Sequence, residues 1–183
     1  MNKYFLTFIS LAIFFVANIC YSEVSKEVSL GGIKVGMTYQ EVVAIYGEPT
    51  AKFDELTDKG KIWAKHIEYG NNVQITFSDE NGEFGKVKNV LVIADNGWEL
   101  PSGIKVGSKK SDFVSIYGEG DSRGKGRYGE YKSVKISKNE CIAYSIPDTG
   151  NNKDKISSLQ INNGSFQHTR LSDYPNSRIR YIK

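Results

Sequence analysis

The sequence predicts an α+β chain built as two tandem units, each a short helical element packed on an antiparallel β-sheet. Three observations lead there. A seventeen-residue stretch occurs twice, as GIKVGMTYQEVVAIYGE at 32–48 and GIKVGSKKSDFVSIYGE at 103–119, and ten positions match without a gap at an offset of 71. Each copy spaces its apolar residues along one helical face. After each copy come segments in which apolar and polar residues alternate, the pattern of half-buried strands. A repeat of that length reads as a structural unit used twice. Alternating strands with one polar side suit an antiparallel sheet whose other side carries the helices.

Residues 1–22 read as a secretory signal peptide. Lys3 supplies a positive start, Tyr4 to Ile19 is almost continuously apolar, and Cys20-Tyr21-Ser22 places small residues at −3 and −1 of a cut before Glu23. The apolar run is short against the ~20 residues that a membrane-spanning helix needs. Asn18 and Ile19 stand where lipid attachment at Cys20 would want small residues. The mature protein is therefore expected in the periplasm or outside the cell, without stable membrane insertion after cleavage. Cys141 is then the one remaining cysteine, so no internal disulfide can form and stability has to come from packing.

Residues 23–30 read as a polar lead, and repeat unit 1 spans 31–100. Gly36 permits a sharp turn. Thr38 is a good N-cap, and Glu41 three residues on completes a capping box. Tyr39, Val42, Val43 and Tyr46 form the apolar stripe, Gly47 suits a left-handed exit, and Pro49 blocks continuation. In the second copy Phe113, Val114, Ile116 and Tyr117 keep the stripe, but Lys109 replaces the cap. Ser108 must then cap one residue earlier, or the first turn frays. Helices this short need a sheet to pack on.

The pattern G-I-x-V-G-M-T-x-x-E-V-x-x-x-x-G-x-P from Gly32 to Pro49 resembles the SmpA/OmlA-like small envelope lipoproteins of the outer-membrane β-barrel assembly machinery. In tandem it is also similar to the β-lactamase inhibitor protein (BLIP) architecture, in which a small unit of helical hairpin plus antiparallel sheet is repeated. The motif covers seventeen residues in each half, and the strand patterns extend the likeness weakly over most of 31–164. The second copy departs from it at Ser108, Lys109 and Gly120. The resemblance implies exposed sheet faces that together form a concave contact surface for another protein, here from strands at 61–70, 72–78, 131–137 and 141–146.

Thr50 to Lys61 is charged and turn-rich, and reads as a loop or a weak helical turn. Lys61 to Gly70 alternates, and so do Val73, Ile75 and Phe77 with Gln74, Thr76 and Ser78. Asn81-Gly82 marks a hairpin. Lys86 to Ala94, β-branched and apolar, suits a central strand, and Trp98 to Ser102 links the halves. Repeat unit 2 spans 101–164: a Gly- and Arg-containing loop at 121–129, strands at 131–137 and 141–146, a polar Gly/Asn-rich segment, and a last strand at 156–161. A basic C-terminal tail covers 165–183.

Charge divides between the halves. Residues 31–100 hold seven Lys/Arg against eleven Asp/Glu, residues 101–183 fifteen against eight, and all five arginines follow position 122. That dipole could steer an acidic partner to the second half, or simply draw the two halves together. The tail is too short and mixed for a nucleic-acid reading, which export also disfavours.

Signals for catalysis are thin. His66 shares a strand face with Glu68, His168 lies in the tail beside Arg170, and Cys141 has no local base. An exposed polar histidine and a cysteine acting as a small hydrophobe account for the first and last. Asp79, Glu80, Asn81 and Glu83 lack calcium-loop spacing, and the glycines at 120–129 lack phosphate-loop spacing. No catalytic residue, metal or cofactor is expected; a hydrolase using His66 or Cys141 ranks last. Binding is better supported, because aromatics gather on the strands and their ends. Trp63, His66, Tyr69, Trp98, Tyr128, Tyr131 and Tyr144 are the candidate protein-contact residues, set against the alternative that most of the aromatics are core. The expected function is a non-enzymatic exported module that binds another protein, inhibitor-like in one version, with an envelope-assembly component as the alternative.

Overall fold

A computed structural model of the protein describes residues 27–164 and 179–182. The signal-peptide reading and most of the basic tail lie outside those residues. Two short strands, β1 (Ser29–Leu30) and β2 (Ile33–Lys34), pair as a small ribbon ahead of helix α1 (Tyr39–Tyr46). Strands β3 (Ala51–Leu56), β4 (Ile62–Tyr69), β5 (Val73–Glu80) and β6 (Glu83–Val92) follow. Helix α2 (Lys110–Tyr117) then precedes β7 (Asp121–Gly126), β8 (Gly129–Ser137), β9 (Glu140–Ile146), β10 (Ser158–Asn162) and β11 (Ile179–Tyr181).

This arrangement corrects the expected fold class. Among the described residues, nine strands run as one continuous antiparallel sheet in the order β11-β3-β4-β5-β6-β10-β9-β8-β7, and the helices are two elements of eight residues each. The chain is mostly β, not two α+β units side by side. The join is the β6–β10 pairing, in which Leu159 faces Val92 and Ile161 faces Val90. Had each half kept its own sheet, β6 and β10 would each present an apolar open edge, which is a standing risk of wrong pairing. Pairing them closes both.

Three segments read as irregular are ordered strands. Ala51–Leu56 is β3, Asp121–Gly126 is edge strand β7, and the lead contributes β1, with Val28 and Leu30 buried. Expected features that do form include the Thr38/Glu41 capping box, the Asn81-Gly82 hairpin with Asn81 at φ 57°, and β6 near the sheet's centre.

The helices cover one side of the sheet. Across it runs an apolar row set by register, from Ile67 through Ile75, Val90, Ile161 and Ile142 to Val134. Val42 of α1 and Phe113 of α2, both fully buried, press onto that side. The glycine before each helix binds it to the sheet region: Gly36 N–H donates to Val87 O and Gly107 N–H to Ile156 O, both at 2.8 Å. Positive φ at both glycines, 90° and 93°, is what makes those turns available.

Candidate functional site

The opposite side of the sheet is polar, yet it is buried. Register aligns Phe53, His66, Thr76, Asn89, Asn162 and Cys141 in one row across β3, β4, β5, β6, β10 and β9. A parallel row holds Glu68, Gln74, Leu91, Gln160, Ala143 and Ser133. Gln74, Gln160 and Asn162 are 0% exposed and His66 is 1% exposed. Such groups are usually retained inside a protein by hydrogen bonds, and here most of them bond to one another. Tyr131 Oη donates to Gln160 Oε1 at 3.0 Å, and Gln160 Nε2 donates to Asn89 Oδ1. Ser158 Oγ donates to Ser145 Oγ at 2.8 Å.

His66 is the node at the β3 end. Gln74 Nε2 approaches its Nδ1 at 3.2 Å and Thr76 Oγ1 approaches the same atom at 3.1 Å. In the tautomer that carries its proton on Nε2, Nδ1 accepts from the Gln74 amide nitrogen and the Thr76 hydroxyl. That Nε2–H faces Glu55 Oε2 at 3.1 Å. Phe53 stacks on the imidazole with centroids 5.0 Å apart. Both ring nitrogens are engaged and the ring is closed to solvent.

At the next positions of β3 and β4, whose side chains point to the helix-bearing side, Asp54 is 2% exposed and lies between two cations. Lys65 Nζ is 2.7 Å from Oδ1, and the Arg180 guanidinium reaches Oδ2 through Nη2 at 2.5 Å and Nε at 3.1 Å. Burial alone would push the Asp54 carboxyl up; Lys65 and Arg180 outweigh it and hold it below the usual carboxylate range. This bond fastens β11 to the sheet edge.

The residues proposed for contact from the sequence separate into three groups. Trp63 is 63% exposed, with Lys88 Nζ 5.8 Å from its ring centroid. Tyr69 and Tyr128 are half-buried. His66, Trp98, Tyr131 and Tyr144 are buried. Tyr69 Oη donates to Gly47 O at 2.8 Å, and burial pushes that phenol up to about 12. Trp98 stacks on Tyr46 at 4.2 Å. Tyr144 Oη donates to Glu119 O at 2.8 Å, again with its pKa raised to about 12 by burial. Burial raises Tyr131 further still. These tyrosines stay protonated and serve as struts. His66 and Tyr131 each join hydrogen-bonded side chains on the buried polar side, His66 with Glu55, Gln74 and Thr76 and Tyr131 with Gln160 and Asn89, whereas Trp98 and Tyr144 belong to the apolar core.

The sequence reading missed Glu55, Gln74, Thr76, Asn89 and Gln160 as members of that network, and Tyr181, which is 61% exposed on β11. A signal for the network was present. Every second position of β5 and β10 is an amide or a hydroxyl, Gln74, Thr76 and Ser78 in one and Ser158, Gln160 and Asn162 in the other, whereas solvated strand faces usually carry charge. No group of three or more His, Cys, Asp or Glu that could hold a metal ion occurs among the described residues. No described helix is long and apolar enough to cross a membrane.

No protein-family model matches the sequence, and no curated protein matches it. A solved structure that superposes in part is the crystal structure of an extracellular protein containing an SCP domain from Bacillus anthracis str. Ames. It shares 13% identity with a TM-score of 0.49, over 81% of this chain and 49% of that one. This chain spans about half the length of that protein, and a likeness at this level bears on no residue of the site.

Proposed function

We propose that the protein is a non-catalytic exported module that binds another protein in the bacterial envelope or outside the cell, with Trp63 anchoring its contact surface. Trp63 is the observation that carries this reading. It sits on an ordered strand, yet it leaves 63% of its surface in water. A tryptophan held by a strand loses little conformational freedom on contact, and Trp is among the residues that dominate binding energy. Lys88 over its ring adds a cation that an acidic group on a partner can meet. Tyr181, exposed on the edge strand, offers a second aromatic. The engagement of both His66 nitrogens supports a structural role for the residue that a hydrolase would most need. Export rests on the reading of residues 1–22. An inhibitor-like target is one version of this proposal, suggested by the resemblance of the repeated stretch.

The test is capture from envelope and culture-fluid extracts on two baits, the wild-type mature chain and Trp63→Ala, with low-salt and then high-salt washes. The expected outcome is one protein retained by wild type at high salt and bound at least about tenfold more weakly by Trp63→Ala, the loss typical of an aromatic anchor. Equal retention on both baits would remove Trp63 as the anchor. Retention at low salt alone would replace the packed interface with a loose electrostatic one.

A further inference from the structure

The one cysteine among the described residues stands opposite an unmet hydrogen-bond donor. Cys141 is half-buried on β9 and in no disulfide. Its direct cross-strand partner on β10 is Asn162, and side chains of such a pair rise from the same face about 4.5–5.5 Å apart at Cβ. Asn162 is 0% exposed. Its Oδ1 accepts from Gly164 N–H at 2.8 Å, which settles which end of the amide is the donor. The Nδ2 group is buried and has no hydrogen-bond partner among the described residues. An unmet donor at this depth is costly, and a thiol sulfur is a poor acceptor for it. An oxygen on that sulfur would be a good one.

We propose that Cys141 is a redox modification site at which a peroxide converts the thiol to a sulfenic acid, whose oxygen accepts from Asn162 Nδ2. The Cys141 thiolate attacks one peroxide oxygen. An S–O bond forms as the O–O bond breaks, sulfur loses two electrons, and the peroxide is reduced to water, which carries off the proton released by the thiol. No second thiol exists among the described residues to consume the product as a disulfide. The sulfenic acid therefore persists where a Cys–Cys pair would resolve it.

The test treats the mature chain, residues 23–183, in which Cys141 is the one thiol, with hydrogen peroxide, traps sulfenic acid with dimedone, and reads the adduct at Cys141 by mass spectrometry. Wild type is compared with Cys141→Ser, Asn162→Asp and Asn162→Ala; Asn162→Asp keeps the Oδ1 acceptor and removes the donor, and Asn162→Ala removes the amide without adding charge. Alkylation by iodoacetamide measures access to the same thiol. The expected result is an adduct in wild type, none in Cys141→Ser, and adduct formation roughly tenfold slower in both Asn162 variants, with alkylation changed less than twofold. The absence of an adduct in wild type would overturn the proposal outright. Unchanged trapping in Asn162→Ala would remove the role of Asn162. Alkylation slowed as much as trapping would reduce the effect to access or misfolding.

Discussion

Helices α1 and α2 arise from the same repeated stretch, 71 residues apart, and solve the same three problems with different chemistry. The first problem is the helix start. In α1, Thr38 Oγ1 accepts from Glu41 N–H at 3.2 Å and Glu41 Oε2 accepts from Thr38 N–H at 2.7 Å, a complete local cap. In α2, Lys109 makes no side-chain cap, and Ser108 Oγ accepts from Lys105 N–H instead. The Lys110 N–H is met by Asp154 O at 2.7 Å, from a distant loop. The second problem is the buried anchor. Val42 and Phe113 are equivalent positions, and the smaller residue is compensated by Tyr39, which stacks on Phe84 at 4.7 Å, while Phe113 meets Tyr144 at 4.4 Å. The third is the loop that the helix's last tyrosine reaches. Tyr46 Oη donates to Gly31 O at 2.6 Å, and Tyr117 Oη donates to the side chain of Ser102 at 2.9 Å, again 71 residues on. A helix motif can thus be copied while its capping, volume and loop contacts are exchanged for others, provided each exchange is compensated where it occurs.

The sharpest break of this pairing is Phe113→Ala. It opens a cavity against Tyr144 that a valine-sized anchor in α1 never needs filled, and urea denaturation should show a loss of about 4 kcal/mol. Val42→Ala should cost clearly less. Next comes Asp54, whose counterpart 71 residues on is the exposed Lys125. Asp54→Ala strands Lys65, which is 4% exposed, as an uncompensated cation, for a loss of about 3 kcal/mol. The Asp54 carboxyl is held below its ordinary value when folded, so its contribution is complete above the ordinary carboxylate pKa. It is lost as pH falls through the lowered one. The stability gap between wild type and Asp54→Asn should therefore be constant near neutrality and shrink in acid.

Gly31→Ser tests whether the Ser102 solution can be transplanted. A Cβ at Gly31 would lie 2.6 Å from the Trp98 ring and 2.7 Å from Tyr46 Oη, at φ +59°. The change should destabilise by about 2 kcal/mol, whereas Ser102→Gly should cost much less. The smallest effects concern the caps. Thr38→Ala should lose about 1 kcal/mol, and Lys109→Thr, which supplies the missing cap, should gain about 0.5–1 kcal/mol in the same urea series. Equal and opposite shifts would mean that the Asp154 contact and a local cap act independently. No gain from Lys109→Thr would mean that Asp154 already satisfies the start of α2.

Both helices were legible because their determinants are local: a stripe and an exit glycine in each, with a cap besides in α1, all within ten residues. The exit glycines show the limit of that legibility. Gly47 and Gly118 do take positive φ, 75° and 91°, but with extended ψ, where Gly47 was expected in the left-handed helical conformation. The sequence reads the β3 segment as a loop or a weak helical turn and the β7 segment as a loop because AKFDEL and DSRGKG carry charge and glycine, features that disfavour an isolated strand and suit one near a sheet edge. The contact residues were chosen for being aromatic, and aromatic character alone does not say which side of a strand meets core. Trp63 remains exposed, whereas Tyr144, of similar character, is buried against Phe113.

Periodicity and turn chemistry were enough to locate both helices, the Asn81-Gly82 hairpin and most strand positions, since each depends on neighbours within a few residues. They could not decide that β6 pairs with β10, that β11 returns to β3, or that the amide and hydroxyl side of the sheet is buried. Those outcomes depend on which strands meet across long separations, as with Arg180 and Asp54, which lie 126 residues apart. An alternating strand exposes the same pattern whether its polar side faces water or other hydrogen-bonding side chains. Only the assembled sheet settles which it meets.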